Sequence, residues 1–396
     1  MLTTLCRLGR HVRGILPLKP ALQKVPPQNP RDKPAEPRVC PFNNRAAKFI
    51  YCCGRDGRSR KRIMKILILG GTRFFGKETA IRLLEAGNEV TVFSRRAPAD
   101  GLPLDIRQTR GERTAELDLT RMAVDTWDVI IDNICYNAED AQKAIRVFNG
   151  RTGLYIFTSS ASVYPLLEGA TPPFRESQTK LLNLKPQLKA KYAYGLGKYG
   201  AENEFLTAFT EKSFPAVIVR PAVVIGPSDN TLRAYSYWLR LADGGPLLLS
   251  GAAFKNCFVF SKDMAKAFEL LATAEDVCGQ AYNFGDSQPI TLDDFVKVSA
   301  RIMHRDAQIL YPEYTWLKES GFDFDASPFS MGGDFVLDIS KAENDLGWKP
   351  TPAAAWLEET INWYLFKYTG PAPQNYSARK HELELAKEWS SAGHRP

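Results

Sequence analysis

The chain has 396 residues, 44% of them apolar and 24% charged, the balance of a soluble globular protein long enough for two domains or a single large bipartite domain. No run approaches the ~18 consecutive apolar residues of a membrane-spanning helix, which excludes an integral membrane protein of that kind. Seven Cys with no C-x-x-C spacing, and only four His, exclude a disulfide scaffold, speak against any metal module and fit a reducing compartment.

The formal charge of +8 is unevenly spread. Residues 1–63 hold 15 Lys/Arg against 3 Asp/Glu, which leaves 37 basic and 41 acidic residues in the remainder, a net of −4. The first segment also carries eight of the 26 Pro and no sustained apolar period, so it reads as a disordered basic extension. Arg7, Arg10 and Arg13 among apolar residues mildly resemble an organellar transit segment; the plainer alternative is a dispensable arm ahead of a domain that opens at Met64. A cytoplasmic location follows from the second, an organellar one from the first. Arg58-Ser59-Arg60-Lys61-Arg62 reads as a solvated arm, and with a mildly acidic body no nucleic-acid partner is expected.

From residue 65, strands and helices alternate. Lys65–Leu69 is a buried strand, and Gly76–Ala86 a helix with Ala80, Leu83 and Leu84 on one face, closed by Gly87. Strands follow at Glu89–Phe93, Val129–Ile131 and Leu154–Thr158, then a helix over Tyr194–Phe209 and a strand at Val217–Val219. This rhythm predicts an α/β fold, a doubly wound parallel Rossmann sheet, with the dinucleotide-binding domain over 64–225. A smaller C-terminal substrate-binding part takes 226–370, with some segments returning to the sheet. Tyr235, Tyr237 and Trp238 there suit either stacking on a ligand or helix packing. Thr291 ahead of Asp293 and Asp294 reads as a helix N-cap. Residues 371–396 read as a polar tail with one exposed helix at His381–Trp389.

Gly70-Gly71-Thr72-Arg73-Phe74-Phe75-Gly76 joins the first strand to the first helix. Glycines in that context let the backbone approach a pyrophosphate whose charge meets the helix N-terminus, so Gly70, Thr72, Arg73, Phe74, Phe75 and Gly76 are candidate cofactor-binding residues. The second strand ends in Ser94-Arg95-Arg96, where a carboxylate would hold the ribose diol of NAD. Two guanidinium groups suit a 2′-phosphate instead, which favours NADP over NAD.

Tyr194 and Lys198 stand at i and i+4, on one face of a helix. An ammonium one turn away favours the phenolate and brings a phenol toward a useful acid/base range. Ser160, just past a strand end, could hydrogen-bond a substrate oxygen as its charge develops. Ser160, Tyr194 and Lys198 are therefore the candidate catalytic residues. Cys135 reads as a buried small hydrophobe.

Taken with these residues, the stretches Thr158-Ser159-Ser160-Ala161-Ser162-Val163-Tyr164, Arg220-Pro221 through Gly226-Pro227, Asp263, and Asp338-Ile339-Ser340-Lys341-Ala342 with Leu346-Gly347-Trp348-Lys349-Pro350 resemble the extended short-chain dehydrogenase/reductases, over about residues 65–368. That group includes UDP-glucose 4-epimerase and nucleotide-sugar 4,6-dehydratases. The resemblance implies that Ser160 and Ser162 contact substrate, that Tyr194 and Lys198 are the catalytic pair with Lys198 also holding cofactor, and that Pro221 lies beside the nicotinamide. It implies that Arg233 and Lys255 meet a substrate diphosphate, that Asp263 is structural, and that a homodimer forms through a helix bundle including the Tyr194 helix.

Four features depart from the common pattern: Arg73 in the turn, no acid at position 94, Asp132-Asn133-Ile134-Cys135-Tyr136 in place of small residues, and Gly111-Glu112-Arg113, where Glu112 would approach adenine. The Arg73 turn and Gly111-Glu112-Arg113 resemble a divergent branch that also contains chloroplast stem-loop RNA-binding proteins. Ala161-Ser162 stands where a dehydratase has an acidic pair. The expected function is an NAD(P)-dependent epimerase or reductase of a nucleotide-activated sugar; the alternative is a non-catalytic RNA-binding protein on the same scaffold.

Overall fold

The computed structural model describes residues 51–53, 59–183, 185–330 and 332–393. Most of the basic extension expected over 1–63 lies outside these residues; Tyr51–Cys53 and Ser59–Lys61 form a short antiparallel pair. Seven strands make the central sheet: β1 (Lys65–Leu69), β2 (Glu89–Ser94), β3 (Arg107–Arg110), β4 (Trp127–Asp132), β5 (Thr152–Thr158), β6 (Ala216–Pro221) and β7 (Ala281–Phe284). All neighbours are parallel, in the order β3-β2-β1-β4-β5-β6-β7. The order reverses between β1 and β4, and a crevice at the carboxyl ends of these strands is where such sheets bind ligands. Leu69 pairs with Phe93 on one side and Asp132 on the other, so the ends of β1, β2 and β4 are level.

Sheets buried on both faces read as near-continuous apolar runs, and Ile66, Leu67, Ile68 and Leu69 are all fully buried. Ile66 and Ile68, with Val90 and Val92, face Ala80 and Leu83 of α1 (Phe74–Glu85) and Phe268 and Leu271. Leu67 and Leu69 face the other layer, where Phe148 and Phe205 pack. The remaining helices are α2 (Glu116–Met122), α3 (Ala138–Phe148), α4 (Pro186–Lys191), α5 (Ala193–Lys212), α6 (Arg233–Asp243), α7 (Ser261–Thr273), α8 (Leu292–Ile302), α9 (Tyr314–Glu319), α10 (Ser340–Leu346), α11 (Ala353–Phe366) and α12 (Arg379–Ser391). α1 starts two residues ahead of the predicted Gly76, because Arg73 enters in extended backbone and Phe74, at φ 48°, turns the chain into the helix.

Beyond β6, Val223–Ile225 pairs in parallel with Phe258–Phe260, and α6, α8 and α11 close a second core around Tyr237, Trp238, Phe295 and Trp356. The aromatics at 235–238 are packing residues. Tyr237 and Trp238 are fully buried, Trp238 Nε1 donates to Ser299 Oγ at 3.1 Å, and the Tyr235 ring stacks on Tyr364 at 4.8 Å. Asp263 accepts from the Thr351 N–H (2.7 Å) and hydroxyl (2.8 Å), tying α7 to the turn before α11. Thr291 caps α8, its hydroxyl accepting from Asp294 N.

The expected polar tail differs in substance. Its helix, α12, is docked: Leu385, Ala386 and Trp389 are buried with Leu248, Leu310, Leu317 and Phe322. Glu382, also buried, accepts from Leu248 N and from the guanidinium groups of Arg240 and Arg379. Charged residues that looked solvated in sequence are internal because they neutralise one another.

Candidate active site

The glycine turn leaves β1 at Gly70, whose φ of 85° suits glycine and whose N–H donates to Phe93 O at 3.0 Å. A Cβ on Gly76 would sit 2.5 Å from Gly70 O, so the first turn of α1 lies directly on the loop. The first N–H groups of a helix have no intrahelical partner, and α1 has no acidic residue in its first turn to compete for an anion. Thr72 is half-buried and Arg73 exposed. Phe74 and Phe75 turn their rings into packing, Phe75 stacking on Phe268 of α7, so their share of the loop is backbone. Asn133, just past β4, accepts at Oδ1 from the Thr158 hydroxyl, while its Nδ2 has no hydrogen-bond partner among the described residues. A bare loop, a helix N-terminus clear of acids and an unsatisfied donor fit the diphosphate of a dinucleotide.

At the end of β2, Ser94 is buried and its Oγ accepts from Arg96 N. Arg95 and Arg96 are exposed. Glu112, past the end of β3, lies with Oε2 3.7 Å from Arg95 Nε. The next residue, Arg113, is one that sequence reasoning passed over. Its buried guanidinium donates to Asp132 Oδ2 from Nε (3.2 Å) and Nη2 (2.6 Å), and to Asp140 O from Nη1 (2.9 Å). Burial opposes the charge, but the Asp132 carboxylate outweighs it and holds the guanidinium above its ordinary value. Tyr155 donates to the same Asp132 oxygen at 2.6 Å. The other, Oδ1, accepts from Ile134 N at 3.1 Å. The unusual Asp132–Tyr136 stretch is thus fixed by ion pairing where small residues would fix it by packing.

Ser160 caps the 3₁₀ turn Ala161–Leu166 after β5, its Oγ accepting from Ser162 N and hydrogen-bonding Ser162 Oγ, both at 3.1 Å. Tyr194 and Lys198 are in the first two turns of α5. Gly195 and Gly197 let that helix close on both neighbours at once: a Cβ at Gly195 would strike Ser162 O, and one at Gly197 would strike Tyr136 O. Lys198 is 1% exposed, and its Nζ donates to Cys135 O (2.6 Å) and Thr158 O (2.7 Å). Cys135 is buried, and burial pushes its thiol well up, away from any thiolate role.

The sequence expectation that Lys198 would ease ionisation of Tyr194 differs from what the site contains. Tyr194 is 52% exposed, so the desolvation that raises its phenol is partial; its hydrogen bond with Ser160 and the charge of Arg233 pull the other way. Lys198 is itself drawn down to about 8 by burial, its ammonium engaged by the two carbonyls. Arg233, at the start of α6, is near enough for its charge to act on Tyr194, and it donates from Nε to Thr231 Oγ1. Lys255 is exposed in Lys255–Asn256, its backbone bonding Asp334 and Phe335, and no described hydrogen bond or ion pair joins its side chain to the Tyr194 group. Pro221 is buried at the end of β6. Arg220 beside it pairs with Glu202 of α5.

The comparisons with known proteins agree with this architecture. Over 305 residues the chain is 26% identical to the chloroplast stem-loop binding protein of 41 kDa b of Arabidopsis thaliana, covering 72% of this chain and 75% of that one. Over 216 residues it is 29% identical to the 2'-dehydrokanamycin reductase of Streptomyces kanamyceticus, covering 53% and 58%. Among solved structures, the UDP-glucose 4-epimerase of Thermotoga maritima superposes with a TM-score of 0.63 at 17% identity, over 76% of this chain and 99% of that one. The dTDP-glucose 4,6-dehydratase of Streptomyces venezuelae, solved with NAD, gives 0.62 at 19% identity, over 77% and 98%. Residues 66–285 match the NAD dependent epimerase/dehydratase family; the chain belongs to that family, one of NAD(P)-dependent oxidoreductases and isomerases.

Proposed function

We propose that this protein moves a hydride between NAD(P) and a carbon of a nucleotide-activated sugar, as an epimerase or reductase, with Tyr194 as the acid/base. The observation that carries the reading is the approach of Ser160, Tyr194 and Lys198 to one another just past β5: Tyr194 hydrogen-bonds Ser160, and the Lys198 Nζ lies 5.9 Å from the Tyr194 ring centroid. The Gly70–Gly76 turn, Ser94 and the α1 N-terminus would hold the dinucleotide, which when bound would supply the hydride acceptor or donor. Tyr194 takes the proton from the sugar hydroxyl, or returns it to the carbonyl oxygen. Ser160 Oγ donates to that same oxygen while Ser162 fixes the Ser160 rotor. Lys198, its ammonium anchored by the Cys135 and Thr158 carbonyls, would hold the cofactor ribose. Pro221 would lie on the nicotinamide side, Glu112 on the adenine side, and Arg233 would meet the diphosphate of the substrate. Arg95 and Arg96 favour NADP. Ala161-Ser162 in place of an acidic pair turns the reading away from dehydration. A homodimer through a helix bundle that includes α5 belongs to the same reading.

The test is Tyr194→Phe assayed against UDP- and dTDP-sugars by NAD(P)H absorbance and by epimer formation. Turnover falls by about 10²- to 10⁴-fold while NAD(P) affinity is kept; undiminished turnover removes Tyr194 from the mechanism. The plant relative supports a second reading, in which the scaffold binds an RNA stem-loop. Titration of a labelled stem-loop at several salt concentrations separates the two. Binding by the folded body persists without residues 1–63 and weakens steeply with salt.

A further inference from the structure

We propose that Tyr136 is a positioning residue for Lys198, its ring forming one wall of an aromatic cage that holds the Lys198 ammonium in place. The inference rests on the reading of Lys198 as part of the reacting group. The Lys198 Nζ lies 4.8 Å from the centroid of Tyr136, 5.3 Å from that of Phe157 and 5.9 Å from that of Tyr194, all within the reach of a cation–π contact. Two of its three N–H bonds go to the Cys135 and Thr158 carbonyls. Among the described residues no carboxylate contacts it directly, so a nearly fully buried ammonium is compensated by carbonyl dipoles and ring faces.

The placement of Tyr136 is enforced through its backbone. Its N–H donates to Asp140 Oδ2 at 3.0 Å, and its carbonyl rests on the bare face of Gly197. Arg113 grips Asp140 O and Asp132, and Asp132 in turn accepts from Ile134 N. The buried Arg113–Asp132–Asp140 cluster therefore delivers two groups to Lys198 from one segment, the Cys135 carbonyl and the Tyr136 ring. Yet the ring is 50% exposed, so burial of its own surface does not account for its position. The charged and titratable groups around Lys198 are Asp132 at the end of β4, Cys135 and Tyr136 just after it, Arg113 after β3, and Tyr194 and Glu202 on α5.

The cage is tested by titrating Lys198 directly. In the full chain labelled with [¹³Cε]lysine, the Lys198 signal is assigned by its loss in Lys198→Arg and followed with pH. Burial draws the native Lys198 down to about 8, where its midpoint is expected. Tyr136→Leu keeps the bulk and removes the ring face, and lowers the midpoint by roughly half to one and a half pH units, the range of a partly desolvated cation–π contact. Tyr136→Phe, which keeps the ring face, titrates as the native chain does. The alkaline limb of turnover moves with the same pattern. A Tyr136→Leu midpoint equal to the native one overturns the proposal, as does a Phe variant shifted as far as the Leu variant. Calorimetric titration of the native chain with NAD and NADP judges the functional reading separately: absence of both affinities removes that reading, while the NMR midpoints still decide the cage.

Discussion

Arg220 holds Glu202 by both carboxylate oxygens, Nε to Oε1 at 2.9 Å and Nη2 to Oε2 at 2.6 Å, with both side chains 2% exposed. The same Glu202 accepts from the Ser159 hydroxyl at 2.5 Å, and Arg220 Nη1 donates to the Tyr164 hydroxyl at 3.2 Å. One ion pair therefore locks β6, the end of β5 and α5 together, one turn along α5 from Lys198. Removing one partner of such a pair leaves an uncompensated buried charge and costs about 3–5 kcal/mol. Arg220→Met and Glu202→Leu should each lower the urea midpoint accordingly, while the double variant loses less than the sum of the two. Strict additivity would mean that the two side chains do not act as a unit.

Arg95 and Arg96 govern the choice of dinucleotide in the proposed function. Charge-assisted hydrogen bonds are worth about 1.5–3 kcal/mol, so replacing both by Ser should weaken NADP binding about 10- to 100-fold and leave NAD within about 3-fold. Glu112 beside Arg95 opposes a phosphate, and Glu112→Gln should strengthen NADP binding by a few-fold, an effect that fades at high salt. Isothermal titration with both nucleotides checks the pair of predictions. Equal losses for NAD and NADP would place the 2′-phosphate elsewhere.

Asp286 predicts a pH dependence of stability. It is 4% exposed, its carboxylate accepting from Phe258 N and Trp356 Nε1 at 3.2 Å each. Burial pushes the carboxyl up to about 7, outweighing those two bonds, with Asp263 adding to the rise. Unfolded, the same group titrates near 3.9. Between about pH 4 and 7 the folded chain keeps a proton that the unfolded chain releases, so stability falls as pH rises, by at most about 1.4 kcal/mol per pH unit from this group. Asp286→Asn cannot ionise, and its stability relative to the native chain should grow across that window. Two parallel curves of urea midpoint against pH would mean that Asp286 is ionised throughout.

The parts legible in the sequence were those set by local chemistry. Buried parallel strands show as apolar runs, and the Gly70–Gly76 turn shows because its constraint is a property of consecutive residues. Tyr194 and Lys198 show because one helical turn separates them. The Arg113–Asp132–Tyr155 cluster did not show, since its partners lie 19 and 23 residues from Asp132 and on different strands and loops. The electrostatics of Tyr194 also escaped, because the acceptors that engage Lys198 are backbone carbonyls, which every sequence has. The ambiguity of Tyr237 and Trp238 was resolved only by α8 and α11, whose faces complete their burial.

The docked C-terminal helix gives the last prediction. Trp389 meets Trp316 edge to face at 4.8 Å and is 4% exposed in a small satellite core. Truncation of such a side chain to Ala costs about 3–5 kcal/mol when its neighbours cannot collapse into the space. Arg379 adds a polar clamp, with Nη2 2.7 Å from Asp243 Oδ1 at the end of α6 and Nη1 2.8 Å from Glu382 Oε2. Trp389→Ala should therefore lower the thermal midpoint by several degrees. Glu382→Leu, which leaves Arg240 and Arg379 without their shared carboxylate, should do so at least as strongly. Scanning calorimetry distinguishes an integral helix from a solvated tail, because a tail would leave the main transition where it is in both variants.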